Sequence, residues 1–174
     1  MSKSLLPEII DPLDLIEKNR ILDGCLPLVR MERLAGLVLD RAGDVHFRVE
    51  FGREGAVRSV SGSVSAEVGL VCQSCLGVMS YDIQREFLLG VVASVDEANR
   101  LPEPFEPLLL EKEPLVRLLD LIEDEILLAL PDVPKHAVCE DLPLPVRAEI
   151  EGTRFLGKSF SGLASLIPRD TTKG

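Results

Sequence analysis

Alternation is the most regular feature of the chain. Val45, Phe47, Val49 and Phe51 take turns with His46, Arg48 and Glu50, a period of two that predicts a half-buried strand, and Gly52 and Gly55 bracket a turn. A longer strand is expected over residues 57–71. It carries Val60, Gly62, Val64, Ala66, Val68 and Leu70 on one side and Ser59, Ser61, Ser63, Ser65, Glu67 and Gly69 on the other. After residues 72–77, Tyr81, Ile83, Arg85 and Phe87 lead into an apolar run at 88–92, so Cys72-Gln-Ser-Cys75 falls at a strand-to-strand connection. Residues 21–26 read as a further strand, with Cys25 as a small buried hydrophobe. His46 belongs to the polar side of its strand and is expected at the surface.

Helical spacing appears elsewhere. Asp11 as N-cap and Pro12 at the first position open a short helix carrying Leu13 and Ile16 to about Lys18. Val29, Leu34, Leu37 and Val38 suit a second helix over 28–38. One helical turn is expected at 96–100, before a Pro- and Glu-rich loop and an edge strand at 108–110. The best helix has Pro114 at its first position, places Leu115, Leu118, Leu119, Ile122, Ile126 and Ala129 on one stripe, and stops at Pro131. Pro131, Pro134, Pro143 and Pro145 then hold an extended segment bearing His136 and Cys139. The expected fold is α+β: a mainly antiparallel sheet or partly closed barrel, a few short helices, one long helix in the C-terminal half and an extended tail. The expected domain spans residues 1–145. Residues 146–174 form a flexible tail whose Phe160, Leu163 and Leu166, three apart, suggest a docking helix near 158–167.

Composition narrows the function. Of 174 residues, 46% are hydrophobic, enough for a core, but only 4% are aromatic and none is Trp, which disfavours a base-stacking single-strand binder. A net charge of −10 repels a phosphate backbone and suits a basic protein partner. In the tail the sign turns: Arg147, Arg154, Lys158, Arg169 and Lys173 outnumber Glu149, Glu151 and Asp170, so it can bind its own body or a separate anion. Near the start, Pro7, Glu8 and Asp11 interrupt any signal-peptide core, and no apolar run approaches the ~20 residues of a membrane span. The expected setting is cytoplasmic and reducing, with no membrane partner, where four cysteines make a poor disulfide framework.

Candidate chemistry centres on Cys72-x-x-Cys75. Two thiolates at this spacing can chelate zinc from a tight turn, and His136-Ala-Val-Cys139 can supply the other two ligands of a Cys3His site, provided the two segments meet. Two alternatives stay open. A redox pair usually sits at a helix start, whereas strands flank this one; a turn with two unligated cysteines is the blander reading. Asp120, Glu123 and Asp124 share a helix face, which suits a solvated face, contact with a basic partner, or Mg²⁺. With only two histidines and no Gly-x-Ser-x-Gly elbow, hydrolase chemistry has little to work with. Residues 152–159 match Gly-x-x-x-x-Gly-Lys-Ser, but a charged stretch precedes them and Pro168 cuts short any helix after Ser159, so the match reads as chance.

Taken together, Val71-Cys-Gln-Ser-Cys-Leu76, the run at 121–131 ending in Leu-Pro, and Val133-Pro-Lys-His136 followed by Cys139 closely resemble the YceD family, called large ribosomal RNA subunit accumulation protein. The resemblance extends to the Leu-Pro-Glu-Ile-Ile-Asp-Pro opening and to Phe160, Leu163 and Leu166. It implies a non-catalytic role in synthesis, processing or accumulation of large-subunit ribosomal RNA, and it draws attention to Cys72, Cys75, Glu123, Asp124, Glu125, His136 and Cys139. Relatives often carry a basic residue at the place of Ser74 and a proline at that of Ser159. With the acidic charge, it implies work through a basic ribosomal protein or an RNA-processing enzyme rather than by gripping duplex RNA. The rival readings are a metal-dependent ribonuclease using Asp120, Glu123 and Asp124, a thiol oxidoreductase using Cys72 and Cys75, and a zinc-stabilised adaptor unrelated to RNA.

Overall fold

The computed structural model describes residues 6–110 and 115–139. The chain divides into two units, Met1–Glu140 and Asp141–Gly174, and everything described lies in the first. The predicted tail, with Phe160, Leu163 and Leu166, and the predicted helix start at Pro114 lie outside the described residues.

Among the described residues, seven strands and three α-helices succeed one another as β1 (Ile9–Ile10), α1 (Pro12–Glu17), β2 (Ile21–Pro27), β3 (Asp44–Glu54), β4 (Val57–Val71), β5 (Val78–Val92), α2 (Val95–Ala98), β6 (Glu106–Leu109), β7 (Val116–Arg117) and α3 (Leu118–Ala129). Strands β2 to β6 form one sheet in sequence order, antiparallel except for the parallel β5–β6 pair. Among the described residues the sheet is open, with β2 and β6 at its edges, and does not curl into a barrel.

Period-two patterning decides which face is buried. Val45, Val49, Val60 and Val64 are at most 1% exposed and face α1 and α3, whose Ile16, Ile122 and Ile126 complete the core. Gly62 lies opposite Phe87 on this inner face. A Cβ there would press into the Arg48 carbonyl oxygen and meet Phe87 Cζ at 2.7 Å, so only glycine fits.

Helix α1 starts as its sequence dictates: the Asp11 carboxylate accepts from the Leu13 and Asp14 amides, and Pro12 takes the first position. Helix α3 starts later than expected. Val116 and Arg117 pair with Ile9 and Ile10 as β7 on β1, and the Leu118 amide donates to the Glu8 carbonyl, so an extended pair replaces the predicted first turn. The helix that remains has 12 residues.

Residues 28–38 form two short 3-10 turns, Leu28–Arg30 and Arg33–Gly36, in place of the expected helix. Met31 is extended between them. Leu28, Met31 and Leu34, spaced by three, are almost fully buried, whereas Val29 and Leu37 of the helical pattern are exposed. Cys25 is likewise exposed, because the inward register of β2 falls on Leu22, Gly24 and Leu26.

Candidate functional site

The β4–β5 hairpin ends in a knuckle. Cys72 closes β4; its amide donates to the Gly77 carbonyl at 2.9 Å and its carbonyl accepts from the Leu76 amide at 2.9 Å. This curl puts Leu76 at φ 57, in the left-handed region, and turns both thiols to one side. Residues after α3 come back to meet them: the Gln73 amide donates to the Pro134 carbonyl at 2.8 Å, and the His136 amide points at the Cys72 sulfur at 3.5 Å. The two distant segments that a four-ligand site requires are thus in contact.

One ligand atom each from Cys72, Cys75, His136 and Cys139 lies within 4.8 Å of every other. Cys72 Sγ is 3.5 Å from Cys139 Sγ, and Cys75 Sγ is 3.3 Å from His136 Nδ1. On the far side of the imidazole, Nε2 is 3.2 Å from the Val78 carbonyl oxygen; donating there, it leaves the Nδ1 lone pair facing the sulfurs. The amide of Cys75, together with those of His136 and Ser74, lowers the Cys72 thiol to about 5 against the opposing effect of burial. The bond to Cys72 raises the Cys139 thiol, and burial adds to the rise. Soft sulfur and imidazole donors, four in number and backed by a carbonyl, fit a tetrahedral zinc ion with no open position. Strands, rather than a helix start, flank Cys72, which leaves a redox pair without its usual helix dipole.

Of the α3 carboxylates expected on one solvated face, Asp120 and Asp124 lie at the surface, whereas Glu123 is buried. Glu123 is 3% exposed and accepts from the Arg33 amide at 2.7 Å, the Leu34 amide at 3.1 Å and Arg33 Nε at 3.1 Å. Arg33 also binds the Asp124 carboxylate and the Asp120 carbonyl, while Asp120 pairs with Arg117 at 3.5 Å. Glu125, also buried, pairs with Arg85 at 2.7 Å, and burial pushes its carboxyl up despite that partner. Glu123 thus caps the second 3-10 turn, and guanidinium groups occupy the carboxylates that a catalytic metal would need. Asp120 and Asp124 keep about half their side-chain surface for other contacts. Local spacing concealed this arrangement, because Arg33 lies 90 positions before Glu123.

The profile of the family described as Large ribosomal RNA subunit accumulation protein YceD matches residues 60–166, which takes in both halves of the knuckle and α3. A protein of that name from Haemophilus influenzae is 32% identical over 138 residues, covering 79% of each chain. The chain belongs to the YceD family. The family's description names accumulation of a ribosomal RNA and no reaction. No solved structure matches the chain, and among the described residues no helix is long and apolar enough to cross a membrane.

Proposed function

We propose that this YceD-family chain is a non-catalytic ribosome-biogenesis factor. It promotes synthesis, processing or accumulation of large-subunit ribosomal RNA by binding a basic ribosomal protein or an RNA-processing enzyme. Family membership supports this reading, since the matching profile and the H. influenzae relative share a name that refers to large ribosomal RNA subunit accumulation. The net charge of −10 supports a protein partner over direct grip on a phosphate backbone.

Zinc at Cys72, Cys75, His136 and Cys139 serves as a structural brace that ties the segment after α3 to the hairpin tip. When bound it supplies cross-linking, and its closed donor set leaves no position for substrate. Asp120 and Asp124 contribute to the acidic exterior.

Two measurements test the proposal. Elemental analysis of protein purified without chelator is expected to find zinc at about one ion per chain, lost in Cys139→Ser. A metal-free wild type ends the zinc assignment. Affinity capture from cells is expected to recover ribosomal proteins, precursor ribosomal RNA or a processing ribonuclease; recovery of none of these defeats the proposed role.

A further inference from the structure

Helices α1 and α3 cover one face of the five-stranded sheet; on the opposite face Leu101 packs over Gly90 and Leu39 over Gly69, and between these two ends the surface is open among the described residues. Register fixes what that face presents. Asp23, Arg48, Ser63 and Glu86 make one row across the strands, and Cys25, His46, Ser65 and Gln84 make the next. A solvated sheet face ordinarily mixes its charges. Here the carboxylates of Asp23, Asp44, Glu50, Glu67, Asp82 and Glu86 are exposed against a single guanidinium, Arg48, which Glu50 already holds at 2.9 Å.

Three details give the face a direction. Glu67 and Asp82 are directly opposed, a like-charge pair that destabilises a bare sheet and that a cation between them relieves. Beside them Asp40, Asp44 and Glu67 line a depression of about 400 Å³ with no basic residue in its wall. At the hairpin tip, Val71 and Val78 face each other across the strands and are 41% and 72% exposed, an apolar pair next to the acidic rows. Ser61, Ser63 and Ser65 of β4 have short side chains, which lets a second backbone lie close.

We propose that this open face docks a basic polypeptide segment. Its Lys or Arg side chains sit among Asp44, Glu67 and Asp82, and an adjacent apolar residue rests on Val71 and Val78. The proposal rests on the basic-partner reading above and deepens it by naming the surface. RNA is the wrong occupant, since the charges that attract the peptide repel phosphate. The carboxylates of α3 are the weaker candidates, because Arg33 and Arg117 already engage them.

Fluorescence anisotropy with the full-length protein tests it, using a labelled eight-residue peptide of alternating basic residues and valine, and a control peptide with glutamate at the basic positions. Binding of the basic peptide should weaken as salt rises from about 0.05 to about 0.3 M. The combined variant Asp44→Asn, Glu67→Gln, Asp82→Asn should lose at least about tenfold in affinity, while Asp120→Asn with Asp124→Asn stays within about twofold. Single Glu86→Lys, changed at an exposed site, gives a second reading if the combined variant folds poorly. Wild-type affinity in both the combined and the Glu86→Lys proteins overturns the proposal. So does an equal loss in the α3 variant, or a dimer in sedimentation that the same substitutions dissolve. If cell capture recovers ribosomal proteins equally with wild type and the combined variant, the surface is wrong and the functional reading stands. If the peptide binds as expected but capture yields no ribosomal component, the reverse holds.

Discussion

Replacing Glu123 with alanine tests whether a helix carboxylate holds the 3-10 turns in place. The side chain accepts three hydrogen bonds, from the Arg33 amide, the Leu34 amide and Arg33 Nε, at 2.7, 3.1 and 3.1 Å. Each bond to a charged acceptor contributes about 1.5–3 kcal/mol, but three bonds acting through one carboxylate do not add. Removing one partner of a buried pair costs about 3–5 kcal/mol. Arg33 is half exposed, so water takes up its freed charge and the loss falls near the lower limit, about 3 kcal/mol. What persists is the cost at Leu34, whose amide is buried with a residue that is 0% exposed. Glu123→Gln keeps an amide oxygen facing both backbone donors and should lose only about 1–2 kcal/mol. Urea unfolding followed by far-ultraviolet circular dichroism suits a chain with no Trp and one Tyr, and m should not change. Equal losses for Ala and Gln, or an Ala loss below about 1 kcal/mol, refute the capping role. Asp124→Ala, at a side chain 54% exposed, should cost less than about 1 kcal/mol.

Close packing and buried charge lead to two more expected outcomes. Gly62→Ala should destabilise by at least about 1–3 kcal/mol in the same assay, and Phe87→Leu should not rescue it, because the nearer obstacle is the Arg48 carbonyl; full rescue points to the ring alone. Burial raises the carboxyl pKa of Glu125, so the folded state holds that proton more tightly than the unfolded chain. Its contribution to stability is therefore fullest below the unfolded value of 4.5 and is lost as pH rises through the folded value. Glu125→Gln should flatten that part of the stability profile above pH 4.5, and an unchanged slope in urea titrations contradicts the assignment.

The strands were the most legible part of the sequence, because β3 and β4 each bury one face and their alternation records it residue by residue. Asp11-Pro12 and Pro131 marked helix limits for reasons internal to the backbone. The features that stayed hidden depend on partners far along the chain. The β1–β7 pair is two residues long on each side and shifts the start of α3 by a contact between Ile9 and Arg117 that no local period encodes. The parallel placement of β6 is equally non-local. Leu28, Met31 and Leu34 carried a period of three, but Val29, Leu37 and Val38 offered a competing helical stripe. At the knuckle, the ligand types and both short spacings were readable, whereas the meeting of Cys75 with His136 depends on how α3 crosses the sheet. The burial of Glu123 and Glu125 is not legible in the sequence, because a carboxylate on a helix reads as solvated until Arg33 or Arg85 is brought beside it.

The knuckle also has a bearing on timing. Its first two donors emerge with the hairpin tip, and its last two arrive only after β5, β6 and α3 have been made. The 61 positions between Cys75 and His136 close a loop whose entropy cost grows only slowly with length, so the intervening sheet and helix matter chiefly by placing the two segments side by side. All four donors are therefore present only once the chain has been made as far as Cys139. A strand out of register or a misplaced α3 would hold His136 and Cys139 away from Cys72 and Cys75, so completion of the cluster depends on the correct placement of everything threaded between them.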